Sequence, residues 1–391
     1  MTVVSDRDGW TGLIAIAMLT NPGAAVGVVA PTIVDAFVRR GISLSMASLL
    51  GAAELAGLTV ALLCSPLFLN RFDRRALAGI AVVMAISGQL LSLIFDAPHS
   101  LGALRVLAGL GEGGMYAVAI ASLAATRSPD RAFGVVAILN QISATLLLVA
   151  IAHLNGSYPQ SGAIAVMLGL VMLTSLFVTT LPRRVDAGST GQNTGFDLKT
   201  PFALTPALFG LAGTFLLSCG FGAVWPFIGQ IAVARNISDE LIASAFSWVG
   251  AAGILAGVIV TALGLKLGRK LPLVFASVGF SVSLILPTYH VSFIALTLLL
   301  MFFWTFNIPY YMGLLAELDR TGRLAALTGA MLPFGIAAGQ ALSGRIAAAD
   351  GFRAISFMGA GCVAAALAAM LIALRSRAKV QPDLAYLPEE S

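Results

Sequence analysis

Residues 99–126 read HSLGALRVLAGLGEGGMYAVAIASLAAT, and the only charges in this run are one cation, Arg105, and one acid, Glu112. A helix rises about 1.5 Å per residue, so roughly 20 apolar residues cross a hydrocarbon core about 30 Å thick. The run is long enough to do so. Eleven further blocks of the same character surround it, near 10–38, 42–69, 76–95, 132–154, 160–181, 203–234, 239–265, 271–288, 291–316, 324–348 and 352–374. The first opens on Asp6, Arg7 and Asp8 and is too long for a cleavable signal peptide, so it reads as a membrane helix. All twelve are continuous, whereas strands of a membrane barrel alternate in segments of about 10 residues. In lipid a backbone must satisfy its own polar groups, and helices do. The sequence predicts an all-α membrane protein of twelve transmembrane helices.

Composition agrees. The chain has 391 residues, 58% hydrophobic and 10% charged, against about 25% charged in a soluble domain. That argues against a water-soluble enzyme or nucleic-acid binder. The net charge of +5 has a different origin. With both termini cytoplasmic, 17 of the 23 Lys and Arg residues fall in cytoplasmic segments, among them Arg71, Arg74, Arg75, Arg183, Arg184 and Lys270. The excess follows the positive-inside rule, and the expected location is the plasma (inner) membrane with both termini cytoplasmic.

The longest internal polar stretch, 183–202, is rich in Gly, Ser, Thr and Asn and reads as a flexible cytoplasmic linker. It divides the chain into an N-terminal six-helix bundle (1–182) and a C-terminal one (203–379), with a disordered cytoplasmic tail at 380–391. Basic loops recur at matching places in the halves: Arg71 to Arg75 against Lys266 to Lys270, and Arg131 against Arg320 and Arg323. Such a duplicated unit is a mark of secondary transporters.

No GxxxxGK[ST], HExxH or Ser/His/Asp set occurs, and Cys64, Cys219 and Cys362 are scattered. The protein is therefore expected not to be an enzyme and to use no cofactor or metal. Energy must come from an ion or solute gradient.

Charges near a bilayer centre are costly, about 2.5–3.5 kcal/mol each on insertion scales. Two acids lie that deep: Glu54 in the second block and Glu112 in the fourth, each about 16–20 Å from the outer face at 1.5 Å per residue. A carboxyl in low dielectric holds a proton more readily than one in water, so both are candidate proton-coupling groups, Glu112 first. Arg105 precedes Glu112 by seven residues, on the same helix face but about 10 Å away. Tyr116, one turn beyond Glu112, is within reach of its carboxyl. Gly109, Gly111, Gly113 and Gly114 permit close helix approach. Trp304, Asn307 and Tyr311 recur at helical spacing and share a face.

Together, the six-plus-six pattern, the central linker, the basic loop after helix 2 and the glycine-rich helix 4 resemble the major facilitator superfamily over about residues 10–376. The family's G-x-L-a-D-R-x-G-R-R loop corresponds to Pro66-Leu67-Phe68-Leu69-Asn70-Arg71-Phe72-Asp73-Arg74-Arg75. The resemblance implies gating roles for Asn70, Arg71, Asp73 and Arg74. In helix 4, Arg105-Val-Leu-Ala-Gly109-Leu-Gly111-Glu112-Gly113 is similar to the R-x-x-x-G-x-G-E-G pattern of the anion:cation symporter branch. That similarity implies proton coupling at Glu112 and coupling or anion handling at Arg105. Because the family lines its central cavity with helices 1, 4, 7 and 10, flanked by 2, 5, 8 and 11, the resemblance nominates further cavity residues. They are Asn21, Asn140, Gln141, Trp225, Gln230, Trp248, Trp304, Asn307, Tyr311 and Gln340.

The expected function is proton-coupled secondary transport of a small organic solute by alternating access. The solute is expected to be an organic anion with an apolar or aromatic part. The alternative is proton-driven efflux of lipophilic or cationic compounds. Partners are the small-molecule substrate, protons and the lipid bilayer, with no nucleic acid, and the protein is expected to be a monomer.

Overall fold

A computed structural model describes residues 9–69, 71–126, 129–182, 204–264, 266–289, 291–318 and 323–384. Asn70 and the 183–202 linker lie outside the described residues, as do 385–391 of the tail. Among the described residues the structure is helical throughout, without strands.

The first crossing is split into α1 (Trp10–Met18) and α2 (Asn21–Arg39). Pro22 sits in the first turn of α2, where its missing N–H costs nothing, and the chain steps just before it. Next come α3 (Leu44–Leu69), α4 (Arg74–Ile94), α5 (Pro98–Ala124), α6 (Pro129–Ser157) and α7 (Gly162–Ser175). They complete six crossings. The seventh is α8 (Leu204–Val224) continued through a tight turn at Trp225–Phe227 into α9 (Ile228–Ala234). Pro226 lies in that turn and tightens the helix there. Then follow α10 (Asp239–Leu263), α11 (Lys270–Ile285), α12 (Phe293–Leu318) and α13 (Arg323–Leu384).

At 62 residues, α13 would measure about 90 Å if straight, three bilayer cores. It is not straight. Gly351 has φ 78° and ψ 177°, a conformation open to glycine, and the chain turns back there. The eleventh and twelfth crossings therefore lie on either side of Gly351, in the gap between the apolar blocks 324–348 and 352–374. Ten other helical segments are long and apolar enough to span, so the described chain makes twelve crossings in two six-helix halves.

Within the N-terminal half, α5 packs between α3 and α4; in the C-terminal half, α8 packs along α13. The halves meet where α3 lies on α13, α6 on α10, and α2 on the Trp225 turn and α9. The described hydrogen bonds across this seam fall at mid-depth or at the end marked by Asp35. The Gln141 amide donates to the Gly250 carbonyl at 3.1 Å, and the Trp225 indole to the Val28 carbonyl at 3.0 Å. At the Asp35 end, the Gln230 amide donates to the Asp35 carboxylate at 2.8 Å, and Arg39 lies 3.7 Å from Asp239. Large apolar side chains such as Ile80, Val83, Ile138 and Val258 remain exposed on the outside of the bundle, where lipid would cover them.

Candidate functional site

Close helix approach builds the site. A Cβ on Gly109 of α5 would collide with the Glu54 carbonyl oxygen of α3, and one on Gly88 of α4 would lie 2.7 Å from the Leu104 carbonyl oxygen of α5. Real side chains never come so near, so both contacts require glycine. They press three backbones together at one depth, and polar side chains from all three converge there.

Arg105 is fully buried and forms an ion pair with the Glu54 carboxylate through Nη2. Its Nη1 donates to Gln89 Oε1 at 2.8 Å. The Gln89 amide nitrogen donates twice, to Glu54 Oε1 at 2.9 Å and to Glu112 Oε1 at 2.8 Å. All four side chains are buried, with Glu54 the most exposed at 2%. The Arg105 guanidinium also lies 5.9 Å from the Phe37 ring centroid, a favourable placement for a cation. Two enclosed atoms have no partner, Arg105 Nε and Glu112 Oε2.

Glu54, selected on depth, and Glu112, selected on depth and on the helix 4 resemblance, are thus bridged by a single amide. Arg105 and Glu112 make no direct bond, and Gln89 spans the distance between them. Gln89 itself was missed by sequence reasoning. The available signal was that it is the sole amide side chain in the block 76–95. Arg105, expected to act in coupling with Glu112 or in anion handling, is enclosed and paired with Glu54.

The other nominated residues divide into three groups. Along the seam, Gln340 is fully buried against Gly51 of α3, with neither amide atom bonded. Gln141, Trp225 and Gln230 make the cross-half bonds given above. Asn140 and Asn21 bond within the N-terminal half: Asn140 accepts from Thr20 at 2.9 Å, and Asn21 donates to the Met18 carbonyl while its Oδ1 is unpartnered. A second group lies inside the C-terminal half. Trp304 stacks on Phe221 with ring centroids 4.2 Å apart. The Ser277 hydroxyl of α11 donates to the Asn307 side-chain oxygen Oδ1, at 3.1 Å, and lies 3.2 Å from the Tyr311 hydroxyl. These three do share a face, but it packs on α8 and α11 and does not open towards the N-terminal half. A third group departs from expectation. Tyr116 makes no bond to Glu112 and packs against Gly23. Trp248 is 58% exposed on the outer surface, away from the seam, because its position on α10 points outwards.

Of the nominated gating residues, Asn70 is not described and Arg71 is exposed. The Asp73 carboxylate caps α4, accepting from the Arg75 and Ala76 amides at 2.8 and 3.2 Å. Arg74 donates to the Ala121 carbonyl and the Ser122 hydroxyl, both at 3.2 Å, at the end of α5. The C-terminal half repeats the arrangement, with Arg269, just before α11, paired to Glu317 at the end of α12. Among the described residues no three His, Cys, Asp or Glu side chains cluster as a metal site would need.

Residues 12–212 match the family model described as the Major Facilitator Superfamily. No curated protein matches the chain in sequence. Among solved structures, it is similar to the nucleoside transporter NupG, with a TM-score of 0.73 at 13% identity over 92% of this chain and 98% of that one. It is also similar to the human organic anion transporter MFSD10 (TETRAN), with a TM-score of 0.66 at 14% identity over 91% of this chain and 98% of the other. At such identities the likeness is one of fold.

Proposed function

The chain belongs to the major facilitator superfamily of multi-pass membrane transporters, and from that premise we propose that it couples solute movement to protons through Glu112. One observation carries this reading: the enclosed cluster of Arg105, Glu54, Gln89 and Glu112 has two carboxyls and one guanidinium. Buried charge is tolerated only when balanced. With both acids ionised the cluster carries a net charge of −1; with one proton it is neutral. Glu54 has Arg105 as its partner and Glu112 has no cation, so the exchangeable proton belongs on Glu112. Loading and unloading it changes the charge buried in the N-terminal half, and so the balance between conformations in which that half is dry or wet.

In the orientation given by the Lys and Arg distribution, the Asp35 end of the seam is outside. The bonds of Gln230 and Arg39 then close the outer face, which is one of the two end states of alternating access. The unpartnered polar groups of the interior, the Gln340 amide at the seam and Asn21 Oδ1 in the N-terminal half, suit a solute with hydrogen-bonding oxygen and nitrogen atoms beside an apolar part. We take a small organic anion as the substrate, moved in symport with protons. The pairing of Arg105 with Glu54 removes the deepest cation as an anion contact, and it favours the second reading, proton-driven efflux of lipophilic or cationic compounds. We take the transporter to be a monomer of the plasma membrane with both termini cytoplasmic.

A thermal-shift screen of the purified protein against organic anions, aromatic acids, sugars and lipophilic cations supplies the substrate. Proteoliposomes with an imposed pH gradient then test the mechanism. Transport should follow the gradient and be lost in Glu112→Gln. Transport indifferent to both the gradient and this substitution refutes proton coupling here, and the charge and direction of the solute moved separate the two substrate classes.

A further inference from the structure

We propose that Gln89 is the positioning residue of the proton site: it holds Glu54 as the ionised partner of Arg105 and leaves Oε2 of Glu112 as the atom that takes up and releases the proton. This rests on the proton-coupled reading above. The argument begins with donors and acceptors. A guanidinium only donates and an ionised carboxylate only accepts. The Gln89 amide is therefore oriented by its neighbours, with Oε1 towards Arg105 and Nε2 towards the acids. Nε2 has two hydrogens, and each acid receives one.

The two acids then differ. Both Glu54 oxygens accept from a donor, Oε1 from Gln89 and Oε2 from Arg105, which is the environment of a carboxylate. Glu112 receives a donor on Oε1 alone and no donor on Oε2; its carboxyl also lies within hydrogen-bonding reach of the Glu54 carboxylate, so a proton on Glu112 has an acceptor beside it. Gln89 can donate to Oε1 whether that atom belongs to a carboxylate or is the carbonyl oxygen of a neutral acid. The O–H bond at Oε2 can therefore form with a proton arriving from water, and break to return it, while the other bonds stay in place. The charged groups facing the amide are Glu54 from α3 and Arg105 and Glu112 from α5. Just beyond the end of α2, Arg40 lies close enough to Arg105 for the two to interact electrostatically. Helix α7, also packed on α4, has no charged residue. The contact of Gly88 with α5 holds the Gln89 backbone at the level from which one amide reaches all three partners.

The test needs no substrate. Infrared difference spectra of the purified protein in nanodiscs, recorded across pH in H2O and D2O, report protonated carboxyls through their C=O stretch. Wild type should show a band that titrates and is absent in Glu112→Gln. Gln89→Met keeps the side-chain volume but removes all three bonds. Its band should move to higher frequency, as a carbonyl does on losing a donor. Its titration should spread into two steps, displaced by about one pH unit or more, as the acids compete for the proton. A purely structural Gln89 would lower thermal stability and leave frequency and titration unchanged, and that result overturns the proposal. Gln89→Asn, one methylene too short to bridge both acids, should reproduce the spectral change and decides the matter if the Met variant does not fold. A band that survives Glu112→Gln overturns the proton assignment to Glu112 and this inference with it. An unchanged band in the Gln89 variants, with loss in Glu112→Gln, overturns the role of Gln89 alone.

Discussion

Arg105 is one base serving two acids, and that imbalance makes a quantitative prediction. Arg105→Gln leaves the Glu54 carboxylate buried with only the Gln89 amide for support. Removing one partner of a buried ion pair costs about 3–5 kcal/mol. Neutral hydrogen bonds between membrane helices average about 0.6 kcal/mol, so losing the two contacts of Arg105 as neutral bonds would cost only about 1 kcal/mol. The expected loss is therefore about 3–5 kcal/mol. Adding Glu54→Gln removes the orphaned charge, and the double variant should recover more than half of that loss. Glu54→Gln alone should cost less than Arg105→Gln, because Arg105 keeps a second acid, Glu112, one amide away. Unfolding of the four proteins in mixed micelles with a rising fraction of SDS gives the double-mutant cycle. A coupling energy below about 1 kcal/mol, or equal costs for the two single variants, would refute the ion-paired account of the cluster.

Four further outcomes follow from the local surroundings of particular residues. The bonds of Gln230 and Arg39 join the two halves at the Asp35 end of the seam, so Asp35→Asn or Gln230→Leu should speed labelling of a Thr32→Cys thiol by an impermeant maleimide about tenfold. That factor corresponds to about 1.4 kcal/mol, and an unchanged rate counts against the latch. Gly109→Val should destabilise by about 1–3 kcal/mol in SDS unfolding, because its Cβ meets helix backbone that no rotamer change can relieve. Gly134→Ala, where nothing lies within 4 Å of the added Cβ, should be neutral or stabilising by up to about 1 kcal/mol. Loss of the α4 cap in Asp73→Ala should cost about 1 kcal/mol, and Asp73→Asn should retain most of it; equal losses in the two would mean that the cap is not what Asp73 supplies.

Fold and site were legible to different degrees. The turn between the last two crossings was readable from the break near Gly351, since a chain of that length must fold back to remain in the bilayer. The depth of Glu54 and Glu112 was readable too, because depth is residue count times rise. Their proximity was not. Helical spacing relates residues on one helix, whereas the cluster draws on three helices brought together at Gly109 and Gly88. Asn307 and Tyr311 illustrate the same limit: spacing put them on one face, and only packing determined that the face meets Ser277 within the C-terminal half. Trp248 looked like a cavity residue by helix number but points outwards, because helix number alone does not specify rotation about the axis.

By itself the sequence determined that this protein lives in a membrane, that it crosses twelve times, and that Arg105, Glu54 and Glu112 are the rare charges at depth. Those conclusions depend on length, hydropathy and the cost of burying charge, all of which are local properties. Only the tertiary structure decided which charge neutralises which. It paired Arg105 with Glu54, left Glu112 without a cation, and brought in Gln89, the lone amide of its block, whose partners no spacing within one helix could reveal. Hydrogen bonds act over about 3 Å, and a relation of that range between separate helices exists only once they are packed.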